Sequence, residues 1–436
     1  MIAAPGSGQG KTMLTAALAR RLVNQGERVQ IFKLGPDYLD PTILEVASGQ
    51  PVYNLDLWMM GQRHCKLLLA QASADNDIIL VESLMGLHDN DPSNALLAKL
   101  FNLPITLVID VAKFAQTAAA IVTGMARYGV GANITAVIGN RVGSDNHDRL
   151  MREAVGVLYA GSIRRDPRMA LPERHLGLVQ AQDIDDLNQQ LDQAAQAITD
   201  FGITDSLQQV SLPHVELPAS EEDAIPATLF SGRFSGQLSG KVIAIAQDAA
   251  FSFIYPANLN LLESLGAKLV YFSPIANQPL PPCDALWLPG GYPELHINTL
   301  TCADQTRAAI KLHQDANKPI LAECGGMMYL CNTITNVDGI SGSGCGLFDA
   351  HCHLQTRFQS VGLQSVDYGQ GKINGHSFHH SKLVTSVSPV RYGLKQHVNQ
   401  GEGEQGEAVY SHGKTIMTYV HHYFASNPAA VAAIFG

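Results

Sequence analysis

"APGSGQGKTMLTAAL", residues 4–18, sets a glycine-rich turn directly ahead of an amphipathic run. Glycines let backbone N–H groups turn inward onto phosphate oxygens, and a following helix presents the positive end of its dipole. Lys11 adds a charge, and the Thr12 hydroxyl can ligate Mg²⁺. Ser7, Gly8, Gln9, Gly10, Lys11 and Thr12 are therefore the candidate nucleotide-binding residues. The pattern departs from G-x-x-x-x-G-K-[ST] at its first glycine, which is Pro5. A turn that merely caps a helix is the plainer alternative. The strand ahead of it holds only Met1 to Ala4, short enough that a few preceding residues are expected.

Outward from this loop, residues 11–25 place Leu14, Ala17, Leu18, Arg21 and Leu22 at helical spacing, and Gly26 closes the run. Strands are expected at 28–32, 77–82 (DIILVE), 105–111 (ITLVIDV) and 134–138 (ITAVI). These runs are continuously apolar, as in strands buried on both faces of a helix-covered parallel sheet. The alternation predicts an α/β, doubly wound sheet. In such sheets the loops after strands gather on the ligand side. There the turn KLGPDYLDP (33–41) brings Asp37 and Asp40, and the strand ending at Glu82 brings Gly86 and Asp89. Carboxylates near phosphates suit a hard cation, so Thr12, Asp37 and Glu82 are the expected Mg²⁺ ligands. Solvated loop carboxylates remain the alternative for each acid.

Between about 185 and 240 the character changes to Asp- and Gln-rich, then to Pro-, Ser- and Gly-rich sequence. The expected division is a domain over 1–205, a linker over 206–240 and a second α/β domain over 241–436. In the second domain strands are expected at 242–246, 268–272, 285–289, 319–323 and 415–420, with a helix at 257–265. "ILAECGGMMYL", 320–330, puts Cys324 at a strand-turn-helix elbow. Such an elbow exposes a nucleophile, and the helix N-terminus is expected to favour the thiolate. A small buried hydrophobe is the alternative reading of a lone cysteine. "LPGGYPE" (288–294) offers Gly290 and Gly291 beside Gly325 as oxyanion donors, and "TYVHHYF" (418–424) offers His421 as the base. His351, Cys352 and His353, with Cys345 nearby, lack the two separated ligand pairs of a zinc site, and His376, His379 and His380 carry no clear signal.

The apolar share of 46% and charged share of 16% suit a globular chain of 436 residues. A net charge of −10 without a Lys/Arg block argues against nucleic acid or an anionic membrane as partner. Seven scattered cysteines suit reduced thiols, and no basic-then-apolar leader is read, so a cytoplasmic protein is expected.

These residues, together with NLDLWM (54–59), VESLMGLHD (81–89), NRVGS (140–144), PERHLGLV (172–179) and YVHHYF (419–424), resemble the cobyrinic acid a,c-diamide synthase family over nearly the whole chain. The resemblance implies a dethiobiotin synthetase-like P-loop domain followed by a class I glutamine amidotransferase-like domain. It implies ATP-dependent amidation of the a and c acetate groups of a corrinoid, with ammonia taken from glutamine. ATP and Mg²⁺ are then the expected cofactors, corrinoid and glutamine the partners, and a homodimer stays open. Cys324 and His421 carry over as nucleophile and base; Tyr38, Leu39, Asp40 and Asp89 fall where the substrate is expected.

Tyr423 stands where class I enzymes commonly place a glutamate; the resembled family lacks that acid as well, so a Cys–His dyad is expected, while Ala322 at the elbow, Ser83 and Asn90 for glycines, and GLQSVDY (362–368) for an LGYR-like stretch are departures. Competing readings are a diamide synthase for hydrogenobyrinic acid or nickel sirohydrochlorin, a partition-type P-loop switch, and a cysteine hydrolase with a degenerate P-loop.

Overall fold

The computed structural model describes residues 1–170, 180–203, 236–396 and 403–436. The stretch 172–179 and most of the expected linker lie outside the described residues. The chain divides into two units, Met1–Ala224 and Ile225–Gly436.

In the first unit, strands β1 (Ile2–Ala3), β2 (Val29–Leu34), β3 (Tyr53–Leu55), β4 (Ile78–Glu82), β5 (Ile105–Asp110), β6 (Ile134–Val142) and β7 (Tyr159–Arg164) form one sheet in the order β3-β2-β4-β1-β5-β6-β7. Every pairing is parallel. All six residues of β2 are buried, which explains the unbroken apolar run. Helix α1 (Lys11–Asn24) follows β1 through the glycine loop. Its Ala16 and Ala19 pack with Val29, Ile31 and Leu191, while Leu14 and Ala17 pack with Val108, Ile138 and Ala194. Because β1 lies between β4 and β5 while the chain continues to β2, connections diverge on either side of β1. The divergence opens a crevice at the carboxyl ends of the strands, where the glycine loop sits.

The second unit opens with β8 (Val242–Ala246), β9 (Lys268–Phe272), β10 (Ala285–Leu288) and β11 (Ile320–Glu323). A small sheet of β12 (Cys331–Thr335), β13 (Ser341–Ser343), β14 (Phe348–Leu354) and β17 (Ser381–Thr385) packs beside it. The main sheet is completed by β15 (Ser360–Asp367), β16 (Lys372–His379), β18 (Arg391–Lys395), β19 (Gln405–His412), β20 (Thr415–Thr418) and β21 (His421–His422). Its order is β21-β16-β15-β18-β19-β20-β11-β10-β8-β9, parallel from β20 to β9 and antiparallel beyond. Only Tyr419 and Val420 separate β20 from β21, yet four strands stand between them in the sheet. That arm must therefore curl back on itself, and the curl brings β21 to the carboxyl end of β11.

The backbone after Cys324 packs directly on β10. A methyl group at Gly326 would stand 2.1 Å from the Leu288 carbonyl oxygen. Gly326→Ala is expected to force this backbone apart and to destabilise the unit by about 1–3 kcal/mol or more, read as a lower denaturant midpoint. Gly240→Ala, with nothing within 4 Å of the added carbon but a positive φ, should cost less.

Candidate functional site

In the first unit, the residues singled out by the glycine loop meet at the end of β4. Thr12 Oγ1 donates to Glu82 Oε1 at 2.9 Å. Lys11 Nζ donates to the carbonyl oxygens of Met85 (2.6 Å) and Gly6 (3.1 Å), and burial lowers its pKa. Gln9 Oε1 accepts from the Asp110 amide at 2.7 Å, and Asn140 Nδ2 donates to the Gln9 carbonyl at 2.8 Å. Ser7 and Gly8 are exposed at the loop tip, and Gly10 caps the helix at φ 91°. Asp89 Oδ2 accepts from the Gly86 amide at 2.9 Å and so closes the loop after β4. Asp37 Oδ1 accepts from the amides of Leu39 and Asp40; Tyr38 and Leu39 are half-buried in the same turn.

Lys33 was not among the expected site residues, and it organises the acids. Its ammonium lies 2.5 Å from Asp40, 2.6 Å from Glu82 and 3.5 Å from Asp37, on a side chain only 2% exposed. Burial alone would lower its pKa, but the carboxylates hold it well above the usual lysine value. Burial and the neighbouring Asp40 push Asp37 up to about 7, whereas Lys33 overcomes burial and keeps Asp40 below its usual value. Glu82 is fully buried, and its Oε2 has no hydrogen-bond partner among the described residues. A hydroxyl beside a carboxylate with an unused buried oxygen is a donor set that fits a hard divalent cation. Thr12 and Glu82 are thus the residues able to hold Mg²⁺, with Asp37 and Asp40 close by.

In the second unit the thiol elbow is built by close backbone approaches. Cys324 adopts φ 45°, ψ −106°, a conformation that non-glycine residues rarely hold and that aims a side chain off the end of a strand. Its amide donates to the Thr418 carbonyl at 2.8 Å. A methyl at Gly325 would stand 2.9 Å from the Gly291 nitrogen, and one at Gly290 would stand 2.2 Å from His421 Cε1. The glycines therefore let the elbow, the 290–291 loop and the imidazole share one small space.

His421 is buried, stacked on His376 at 5.1 Å and tilted against Phe253 at 5.8 Å. Tyr423, in the place of the usual acid, packs edge-on to Tyr255 at 5.8 Å. Its place as an anchor is filled by Glu323, the residue before the nucleophile. Glu323 Oε1 accepts from the His422 amide at 2.9 Å and lies 2.6 Å from His422 Nδ1; Oε2 accepts from Trp287 Nε1 at 2.9 Å. With the proton on Nδ1, His422 Nε2 can accept from the Tyr368 hydroxyl 2.9 Å away. The departing stretch GLQSVDY is therefore part of the scaffold: Tyr368 meets His422, and buried Gln364 links Ser377 (2.8 Å) to the Glu407 amide (2.8 Å).

The electrostatics differ from the expected thiolate. Burial, then the charge of Glu294, raises the Cys324 thiol well above its ordinary value. Burial, then His376, lowers His421 well below 6.5. Glu294 itself is pushed up by burial to about 7. The helix after the elbow has only six residues, Gly325–Leu330, so its dipole is weak against the desolvation of a buried anion. Both shifts favour the neutral thiol and the neutral imidazole.

Alkylation of Cys324 by iodoacetamide, followed by peptide mass mapping, checks this. Without ligand its rate is expected to keep rising through pH 9; a plateau near pH 7 would show a preformed thiolate–imidazolium pair.

Residues 1–179 match the CobQ/CobB/MinD/ParA nucleotide binding domain family, and residues 242–429 match the CobB/CobQ-like glutamine amidotransferase domain family. Over 436 residues the chain is 45% identical to the hydrogenobyrinate a,c-diamide synthase of Pseudomonas aeruginosa, covering all of this chain and 96% of that protein. It is 43% identical over 436 residues to the cobyrinate a,c-diamide synthase of Herminiimonas arsenicoxydans, with coverage of 100% and 96%. Against the hydrogenobyrinate a,c-diamide synthase of Stutzerimonas stutzeri the identity is 42%, with coverage of 100% and 97%. Two family matches in the expected order and full-length identity at this level place the chain in the cobyrinate/hydrogenobyrinate a,c-diamide synthase family.

Proposed function

We propose that this chain amidates the a and c acetate carboxylates of a cobyrinic acid-type corrinoid, using ATP and ammonia released from glutamine. The observation that carries the reading is the pairing, in one chain, of a thiol elbow gathered with His421 and Gly290–Gly291, and a glycine loop gathered with Glu82. A carboxylate resists amide formation because its carbon is a poor electrophile and oxide a poor leaving group. Phosphoryl transfer from ATP gives an acyl phosphate, which ammonia attacks with loss of phosphate. Bound Mg²⁺ would neutralise charge on the transferred phosphoryl group. Thr12 and Glu82 would hold it, and Lys11 and the loop amides would hold the phosphates. Tyr38, Leu39, Asp40 and Asp89 line the same turns and are assigned to the corrinoid substrate, while Asp37, beside Lys33 and Asp40, stays with the expected cation ligands.

In the second unit Cys324 Sγ attacks the glutamine carboxamide while His421 takes the thiol proton. Amides of Gly290, Gly291 and Gly325 are the assigned donors to the developing oxyanion. His421 then protonates the leaving nitrogen, ammonia departs, and water hydrolyses the thioester to glutamate. The neutral resting pair makes this proton transfer part of the reaction itself. Glu323 acts through the backbone, holding the residue after His421 against the residue before Cys324.

Similar relatives carry both hydrogenobyrinate and cobyrinate names, so metal content is settled by assay: phosphate release from ATP with cobyrinic, hydrogenobyrinic and nickel-containing substrates.

Cys324→Ser is expected to abolish glutamine-supported amidation while leaving amidation with high ammonia; loss of both would overturn the assignment. Lys33→Met leaves three carboxylates without their cation, a change of about 3–5 kcal/mol for a broken buried ion pair. It should lower the melting temperature in EDTA, and Mg²⁺ should restore more stability to it than to the parent. Equal Mg²⁺ shifts in both proteins would remove the cation from Glu82.

A further inference from the structure

Two fasteners hold the backbone around His421. Glu323 binds the amide and ring of His422. Asn258, on the helix Pro256–Ser264, bridges the chain just beyond: its Nδ2 donates to the His422 carbonyl at 2.8 Å, and its Oδ1 accepts from the Phe424 amide at 2.8 Å. These contacts fix where the chain runs, but they do not turn the imidazole. The last torsion of a histidine side chain is broad, so the plane of its ring is set by what lies against it.

Two rings lie against His421. Phe253 is tilted, with centres 5.8 Å apart and planes 52° apart, whereas His376 is stacked, with centres 5.1 Å apart and planes 20° apart. The sheet builds the stack. β16 and β21 are antiparallel neighbours, and His376 is paired directly with His421, so both side chains project to the same face. Gly375 permits the approach, since a carbon added there would stand 2.1 Å from the His421 carbonyl oxygen. His376 is itself held: the Tyr255 hydroxyl lies 3.3 Å from its Nδ1, and both side chains are buried. Burial brings the His376 pKa down to about 3, so its ring is neutral near neutral pH and acts through its flat face and its hydrogen bond. The other titratable groups on the elements around His421 are His379 of β16, His422 of β21, Glu323 and Cys324 at the elbow, Tyr255 behind His376, and Glu294 beyond Gly291.

We propose that His376 is a positioning residue for amide hydrolysis: its ring, pinned by Tyr255, fixes the plane of His421 so that the imidazole meets the Cys324 thiol, and it keeps water from the face it covers. A stacked ring thus does for this base what an acid partner does through a hydrogen bond. The assignment rests on His421 being the base of the glutamine-hydrolysing reading.

The test follows glutamine hydrolysis by the full chain against pH, with kcat and KM measured separately. His376→Ala should lower kcat by about 10- to 100-fold, the cost of a misaimed group, with KM little changed. It should also move the acid limb of kcat/KM to higher pH. Desolvation holds His421 below 6.5, and water in the vacated space relieves it; a base with a raised pKa stays protonated, and so inactive, up to a higher pH. His376→Phe keeps a flat ring on His421 and should recover most of the lost kcat, with the acid limb near the parent's. Thermal melting controls for the fold. Should His376→Ala melt far below the parent, Tyr255→Phe decides: it unpins the ring without emptying the space and should lower kcat about 2- to 10-fold, the range for one neutral hydrogen bond. An unchanged kcat there, or an unchanged kcat and acid limb in a folded His376→Ala, would overturn the proposal. So would a His376→Phe as slow as His376→Ala, or a loss confined to KM, which would place His376 against the amide donor. A silent His421→Ala would remove the base assignment and this proposal with it, a result distinct from all of these.

Discussion

The buried carboxylate of Glu323 joins the parts of the thiol site that the chain makes far apart. It ends β11, immediately before the nucleophile, and accepts from the amide and ring of His422, immediately after the base. Its other oxygen is fixed by Trp287 of β10. Both Glu323 and His422 are about 1% exposed, so neither has water as an alternative partner. In that setting a removed partner leaves a polar group desolvated and unsatisfied, a larger penalty than the bond's own modest worth. The carboxylate therefore ties the residue before Cys324 to the residue after His421. It fixes the residue next to His421 in a chain that has Tyr423 where an orienting acid usually stands.

The first unit solves a similar problem at an equivalent place. Glu82 ends β4 in the parallel sheet, fully buried, and is met by Thr12 and Lys33. Both units thus place a buried glutamate at the carboxyl end of a central strand, where an open α/β sheet gathers its loops. The partners differ in kind. Glu323 is satisfied by groups within its own unit and acts as a fastener. Glu82 has one oxygen without a hydrogen-bond partner among the described residues and shares the Lys33 ammonium with Asp37 and Asp40. Three carboxylates around one cation leave an excess of negative charge, which suits a place where another cation is to arrive.

Much of this was legible in the sequence because the signals were local. The glycine loop, continuous apolar strands and the elbow each lie within about ten residues, and β2, β4, β5, β8, β9, β10 and β11 fall within a residue or two of expectation. The three-residue strand β3, the strand β7 and most of the antiparallel arm were not read. Ser360–Asp367 and Gln405–His412 carry Gly, Ser, Gln and Glu, and are strands because of partners distant in sequence. Lys33, Glu323 and His422 were missed for the same reason, since their roles exist only once β2, β11 and β21 reach their neighbours. A signal was present for two of them: a lysine within VQIFKL and a glutamate closing ILAE are charges inside buried strands, where a charge needs a partner. The expected thiolate runs against the direction in which burial moves Cys324, since one short helix offers little against desolvation of the anion.

The direction of that shift bears on when the nucleophile forms. A thiolate held ready would react with any electrophile small enough to enter, and would hydrolyse glutamine whether or not a carboxylate had been activated elsewhere. Here the thiol is raised by desolvation and by Glu294, and the imidazole is lowered by burial and by His376. Ionising the pair in the empty site means creating two charges in a low-dielectric space, which is unfavourable unless attraction and fixed dipoles compensate. In the proposed reaction the imidazole takes the thiol proton only as the sulfur attacks a bound carboxamide, so no separated pair of charges has to form beforehand. On that reading nucleophile formation is tied to the presence of the amide donor, and the scaffold around Glu323 needs only to hold the neighbouring backbone in place while the proton moves.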